Sequence, residues 1–217
     1  MNCGKSFLSK QIVTNLEEIT YSELSIQRVE ILLISKSEEL KEELSKICIS
    51  KKYKFTHWKI IHDMNNILDN ANEGNQIIVI FEDMTQFINA ADTKTNTDMI
   101  NFLYRSRHQQ ISILMIMHGI RHSLSNRGSF ERTFLDNCSG FFLFKPINNK
   151  KVIYTYLRNI LDKKTTDKLD ELFEFTSKIS SHPYIFIQPY KKVKNDLLKI
   201  RADIFGKNII FQSGLWN

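Results

Sequence analysis

The chain has 217 residues, 42% of them hydrophobic, with seven glycines and three prolines, a composition that excludes a disordered or low-complexity polymer and suits one sizeable domain with its own core. Its three cysteines, Cys3, Cys48 and Cys138, are odd in number and far apart, which excludes a disulfide framework or a C-x-x-C zinc site and makes a reducing compartment the expectation. The formal charge of +6 suits a polyanionic partner, although the basic runs (Lys51-Lys52-Tyr53-Lys54, Lys150-Lys151, Lys163-Lys164, Lys191-Lys192-Val193-Lys194) are short enough to be ordinary solvated faces.

The first element is an apolar, helix-compatible stretch from Phe7 to Leu16, preceded by Asn2-Cys3-Gly4-Lys5-Ser6. That pentapeptide matches the end of the phosphate-loop pattern G-x-x-x-x-G-K-[ST], in which backbone N–H groups wrap the phosphates, the Lys reaches the β/γ-phosphates and the hydroxyl ligates Mg²⁺. Gly4, Lys5 and Ser6 supply the second Gly, the Lys and the hydroxyl. The first Gly and the strand that should lead into it are not in the sequence, so the expectation is a loop cut off at its front by an incomplete start. Read alone, the segment reads more simply as an ordinary helix N-terminus, with Asn2 or Ser6 near a cap, and it is the order of the motifs that follow that favours the phosphate loop.

Leu16 to Ser25 is polar and turn-like, and Arg28 to Ile34 is a strand with an almost continuous apolar end. Ser37 to Leu44 follows as a helix with apolar positions four apart, then a second strand over Phe55 to His62 and a short helix over Asp63 to Asn70. Ile77-Ile78-Val79-Ile80-Phe81 is a run of branched side chains ending abruptly in Glu82-Asp83, the pattern of a central parallel strand buried on both faces. Thr95 to His108 reads as a helix with Met99, Phe102 and Leu103 on one face, and Ile111 to Met117 as another buried strand. Phe141 to Phe144 is a further strand, Val152 to Leu161 and Thr166 to Phe175 are helical, and Tyr184 to Gln188 is a strand before a basic linker. Strands alternating with helices predict an α/β fold with a mostly parallel sheet flanked by helices, as a single domain over residues 1–217. No apolar run reaches the roughly 18–20 residues that cross a bilayer, and no signal-peptide layout opens the chain, so the expected protein is intracellular with no membrane partner.

In such sheets ligands sit at the carboxyl ends of the strands, which directs attention to the polar residues just after buried strands. Glu82 and Asp83 meet that condition: a carboxylate there can hold Mg²⁺ through water, and its neighbour can orient or deprotonate an attacking water. Ordinary acidic residues opening a loop are the bland alternative; paired with Gly4-Lys5-Ser6, they form a Walker A and Walker B pair at a sensible separation. His118 follows the Ile111 to Met117 strand and would face the same crevice, toward a γ-phosphate or the lytic water. His118 and His122 also have a spacing that can ligate zinc on a helix, but no third ligand is evident. Arg127 and Arg132 lie in a polar loop, where an arginine can be a surface residue or reach the γ-phosphate bound by a neighbouring subunit.

Arg107-His108-Gln109-Gln110-Ile111-Ser112-Ile113-Leu114, then Arg132-Thr133 and Gly140-Phe141-Phe142-Leu143-Phe144-Lys145, resembles the genome-packaging ATPases of adenoviruses and Polinton/Maverick-type elements, within the FtsK–HerA division of P-loop NTPases. Tyr184 to Ile187 and Leu198 to Phe205 are similar to the closing strand and Arg-containing segment of that family. The match spans nearly the whole chain, and its specificity lies in the order of five short motifs. The resemblance implies a P-loop NTPase fold of RecA/ASCE type lacking its first strand, ATP and Mg²⁺ as cofactors, and ATP hydrolysis coupled to translocation of double-stranded DNA. It also implies a homo-oligomeric ring, a capsid or portal protein as partner, and a place in the nucleus, a viral factory or the virion. On that reading Lys5 and Ser6 hold phosphates and Mg²⁺, Glu82 holds the metal through water, Asp83 activates the water, His118 occupies the sensor position and Arg132 is the finger. Glu82 stands where the family usually has Asp, and His118 where it has glutamine. A decayed, non-catalytic relic or scaffold of the same fold that binds DNA or capsid protein is the alternative, with another pump of the same division as a third reading.

Overall fold

The computed structural model describes residues 4–16, 28–59, 64–69, 75–83, 93–106, 108–109, 111–117, 138, 140–144, 150–158, 163–179, 183–188, 199–202 and 209–212. The chain divides into two compact units, Ser6–His118 and the remainder, Met1–Lys5 with Gly119–Asn217.

The first unit is a sheet of four parallel strands, β1 (Arg28–Ile34), β2 (Lys54–Trp58), β3 (Asn75–Phe81) and β4 (Ile111–Met115), in the order β2-β1-β3-β4. Helices α1 (Lys5–Thr14), α2 (Glu38–Lys51), α3 (Met64–Asp69) and α4 (Thr93–Ser106) alternate with the strands. A mostly parallel sheet flanked by helices is therefore present, as the alternation of the sequence predicted. Apolar side chains cover both faces of the sheet because a strand's side chains alternate sides. Ile31, Leu33, Ile78 and Ile80 point to one face and form a core with Val13 and Leu16 of the α1 segment and Leu40, Leu44 and Cys48 of α2. Their neighbours Leu32, Ile34, Val79 and Phe81 point to the other face and are buried too.

Crossover handedness explains the layering. The chain moves from β1 outward to β2, then reverses past β1 to β3 and on to β4; right-handed crossovers then place α2 on one face and α3 with α4 on the other. Consistently, α3 and α4 pack on each other and α2 packs beside β2. The reversal falls between β1 and β3, which makes the carboxyl ends of those two strands the switch point of the sheet.

Helix α2 is longer than the sequence reading of Ser37 to Leu44, because Cys48 continues the buried row begun by Leu40 and Leu44. Ser37 caps its start by accepting from the Leu40 N–H, and Lys52, at φ 59°, ends it with its N–H turned back to the Cys48 and Ile49 carbonyls. Strand β2 stops at Trp58, and β4 at Met115 instead of Met117, although the Ile116 N–H still donates to the Phe81 carbonyl at 2.8 Å.

The second unit holds α5 (Lys150–Leu157), α6 (Lys163–Asp167), α7 (Leu169–Ile179) and a separate sheet of β5 (Phe141–Phe144), β6 (Tyr184–Gln188), β7 (Lys199–Ala202) and β8 (Ile209–Gln212). Its order is β5-β6-β7-β8, antiparallel throughout. This sheet departs from the sequence reading, which expected mostly parallel pairing and read only the strands at Phe141 and Tyr184. The helix read over Thr166 to Phe175 is broken by a turn at Lys168. Asp170 of α7 accepts from Tyr154 of α5 at 2.8 Å and pairs with Lys150, and burial followed by the adjacent Asp170 pushes the Tyr154 hydroxyl upward in pKa. Phe142 packs on Phe186 and Tyr184 across the strands, with ring centroids 4.7 and 5.6 Å apart.

Candidate functional site

All four parallel strands end at one level, because Ile34 pairs with both Trp58 and Phe81, and Phe81 with Met115. The residues one step further, Ser35, Lys59, Glu82 and Ile116, therefore line the carboxyl edge. The backbone carries the ladder one bond on at the center of the sheet: the Glu82 N–H donates to the Ile34 carbonyl at 3.0 Å and the Ser35 N–H to the Trp58 carbonyl at 3.0 Å.

Helix α1 brings its first turn to that edge. Gly4 is buried and adopts φ 81°, the left-handed region that a residue without Cβ enters freely, and the helix begins at the next residue. One residue into the helix, the Ser6 hydroxyl donates to Glu82 Oε1 at 3.3 Å, across 76 positions of sequence. The second oxygen of the same carboxylate, Oε2, accepts from the hydroxyl of Ser35. Glu82 is thus bracketed by two serine hydroxyls, one from α1 and one from the end of β1.

The chain turns sharply after Glu82. Asp83 has φ 51°, a left-handed conformation in a residue that carries a side chain, which costs on the order of 1 kcal/mol. Asp tolerates that region better than most residues.

Ser35 has no exposed surface, and its partners fix it. Its hydroxyl accepts from the Ser37 N–H at 2.8 Å, and His57 Nε2 of β2 donates to its carbonyl at 2.9 Å. Lys59, the cation at the end of β2, lies 2.6 Å from Glu38 in the first turn of α2. Hydrogen bonds from Lys41 and Lys59 hold the Glu38 carboxyl down to about 2.

The structure brings together Ser6 and Glu82, which the sequence proposed as metal ligands, places Asp83 next to Glu82, and starts α1 at Lys5, directly after Gly4. His118 and Arg132 lie outside the described residues, as do Arg127 and His122. Ser35 and His57 were not singled out in the sequence; the signal for Ser35 was its place directly after the apolar run of β1, the criterion that identified Glu82 after β3. Among the described residues no group of three or more His, Cys, Asp or Glu could hold a metal on its own.

The donor set at Ser6 and Glu82 nevertheless suits Mg²⁺, a hard cation that takes oxygen ligands and draws most of its shell from water and phosphate, with one or two protein groups. The 3.3 Å hydrogen bond from the Ser6 hydroxyl to Glu82 Oε1 sets a hydroxyl and a carboxylate side by side, the arrangement in which the hydroxyl could ligate the ion and the carboxylate hold it through water. No protein-family model matches the chain, and no curated protein sequence matches it. Among the described residues no helix is long and apolar enough to cross a membrane.

Proposed function

We propose that this chain is a P-loop NTPase that binds ATP with Mg²⁺ at the carboxyl edge of its parallel sheet and hydrolyses it. The observation that carries the reading is the contact of Ser6 with Glu82: the two residues that the motif pattern requires at one metal, remote in sequence, meet at the switch point of the sheet. Gly4 opens the backbone for the approach of phosphate, Lys5 neutralises the β/γ-phosphates, and the first turn of α1 offers N–H groups to them. Ser6 and Glu82 would hold Mg²⁺, which when bound neutralises charge on the phosphate oxygens. Asp83 orients the attacking water and accepts its proton, His118 senses the γ-phosphate, and Arg132 reaches it from a neighbouring subunit.

We further propose that hydrolysis drives double-stranded DNA into a capsid, with the chain in a homo-oligomeric ring and a capsid or portal protein as partner. The ordered motifs from Arg107 to Phe205 that resemble packaging ATPases support this step, and the net charge of +6 suits a phosphate backbone read without base specificity. The test is steady-state ATP hydrolysis with and without double-stranded DNA, for the chain and for Lys5→Ala. DNA-stimulated turnover that disappears with Lys5→Ala is the expected result. A folded protein with no turnover under either condition would overturn the enzyme reading and leave a non-catalytic scaffold of the same fold.

A further inference from the structure

Glu82 carries one methylene more than the aspartate usual at such a position, and each added rotor loosens the placement of a carboxylate. The structure shows what takes up that freedom. Ser35 has a single hydroxyl proton, and because its oxygen already accepts from the Ser37 N–H at 2.8 Å, that proton is directed to Glu82 Oε2. Ser35 itself cannot drift: it is fully buried, its N–H is bonded to Trp58 and its carbonyl to His57. With Oε2 anchored in this way, Oε1 is the oxygen left facing Ser6.

We propose that Ser35 is a positioning residue for Glu82, setting which carboxylate oxygen faces the Mg²⁺–nucleotide and so tuning the metal requirement of the site. The inference rests on the nucleotide reading above. A hydroxyl that merely satisfied the β1–α2 turn would need only the Ser37 N–H, and its loss would lower stability without altering metal dependence. A positioning hydroxyl acts through Glu82, and its loss alters metal dependence only while Glu82 is present.

The experiment titrates Mg²⁺ into the full chain with a fluorescent ATP analogue, for the wild type, Ser35→Ala, Glu82→Gln and the double variant, with the unfolding midpoint of each followed by circular dichroism. The expected result is a rise of about tenfold in the Mg²⁺ concentration that half-saturates binding in Ser35→Ala, the usual scale for a lost partner of a metal ligand. Metal-free nucleotide binding should be unchanged, and Ser35→Ala should have no further effect when Glu82→Gln is already present. Ser35→Cys, close in shape but a weak donor, carries the same expectation should the alanine variant not fold. Wild-type binding with an unchanged Mg²⁺ requirement in Ser35→Ala overturns the positioning role alone, as does a shift that persists in the double variant. Absence of nucleotide binding by the folded wild type overturns the nucleotide reading and the positioning role with it.

Discussion

In the parallel sheet the carboxyl ends of β1, β2, β3 and β4 fall at one edge, at Ile34, Trp58, Phe81 and Met115, whereas in the sheet from β5 to β8 each neighbour runs the opposite way and the carboxyl ends alternate between edges. Only the first arrangement can stack the residues that follow several strands into one cluster. Ser35 and Glu82 meet because β1 and β3 are parallel and in register. The antiparallel sheet has no equivalent edge, and Phe142, Phe144, Tyr184 and Phe186 form cross-strand aromatic pairs along it, which stabilise a sheet locally. Direction of pairing thus separates a sheet that can carry chemistry at its end from one that carries packing along its length.

The largest expected break in that contrast comes from the carboxyl edge. Asp83→Asn keeps a residue type that tolerates φ 51° but removes the carboxylate that the proposed mechanism uses as proton acceptor. Turnover is expected to fall by about 10²–10⁴-fold, the usual contribution of a general base, with thermal stability and nucleotide affinity close to wild type. Equal loss of nucleotide affinity would reassign Asp83 to binding.

Next in size is the core beneath that edge. Leu33 is fully buried in the cluster that also holds Ile31 and Leu40, and Leu33→Ala is expected to cost about 3–5 kcal/mol, through lost transfer energy and the cavity left behind. Chemical denaturation measures this directly, and a cost under about 1 kcal/mol would mean that the core collapses around the gap.

These two sites also mark what the sequence could show. Continuous apolar runs such as Ile77 to Phe81 announce a strand buried on both faces, and their carboxyl ends can be searched for polar residues, which is how Glu82 and Asp83 were found. Ser35 obeys the same rule but is small and uncharged, and nothing in sequence distinguishes it from the Ser37 that caps α2 two residues later. Its role depends on the register of β1 against β3, a tertiary fact. The strands Lys199–Ala202 and Ile209–Gln212 were illegible as a sheet for a related reason: each has four residues, too few to show a period, and their strand character comes from pairing with β6 and with each other.

An intermediate effect links the core to pH. Burial pushes the Cys48 thiol from 9.0 up to about 11. The unfolded chain therefore releases this proton first, so the stabilisation is complete below about pH 9 and is lost as pH rises through about 11. Unfolding free energy measured across that window should decline in the wild type, and Cys48→Ala should remove this part of the decline while lowering stability at neutral pH. An identical alkaline slope in both proteins would assign the decline to other groups. Glu38 acts in the opposite direction at the acid end: with its carboxyl held near 2, its stabilisation is present above about pH 4.5 and is lost as pH falls through about 2.

The smallest expected effect tests the antiparallel sheet. A Cβ on Gly140 would lie 2.6 Å from Cε2 and Cζ of Phe186 and 3.4 Å from the Ile187 carbonyl oxygen. The ring end can swing, unlike a backbone atom, so Gly140→Ala should be accommodated by moving Phe186. That movement has a consequence, because the Phe186 ring packs, tilted by 38°, against Phe142 with centroids 4.7 Å apart. The expected cost is about 1 kcal/mol, the scale of one aromatic pair beyond its burial, with a change in the near-ultraviolet circular dichroism. Phe142→Leu removes the same pair from the other side, so the double variant should cost less than the sum of the two single changes. Strict additivity would mean that Gly140 is needed for its backbone alone, and that the aromatic pair does not register the approach of β5 to β6.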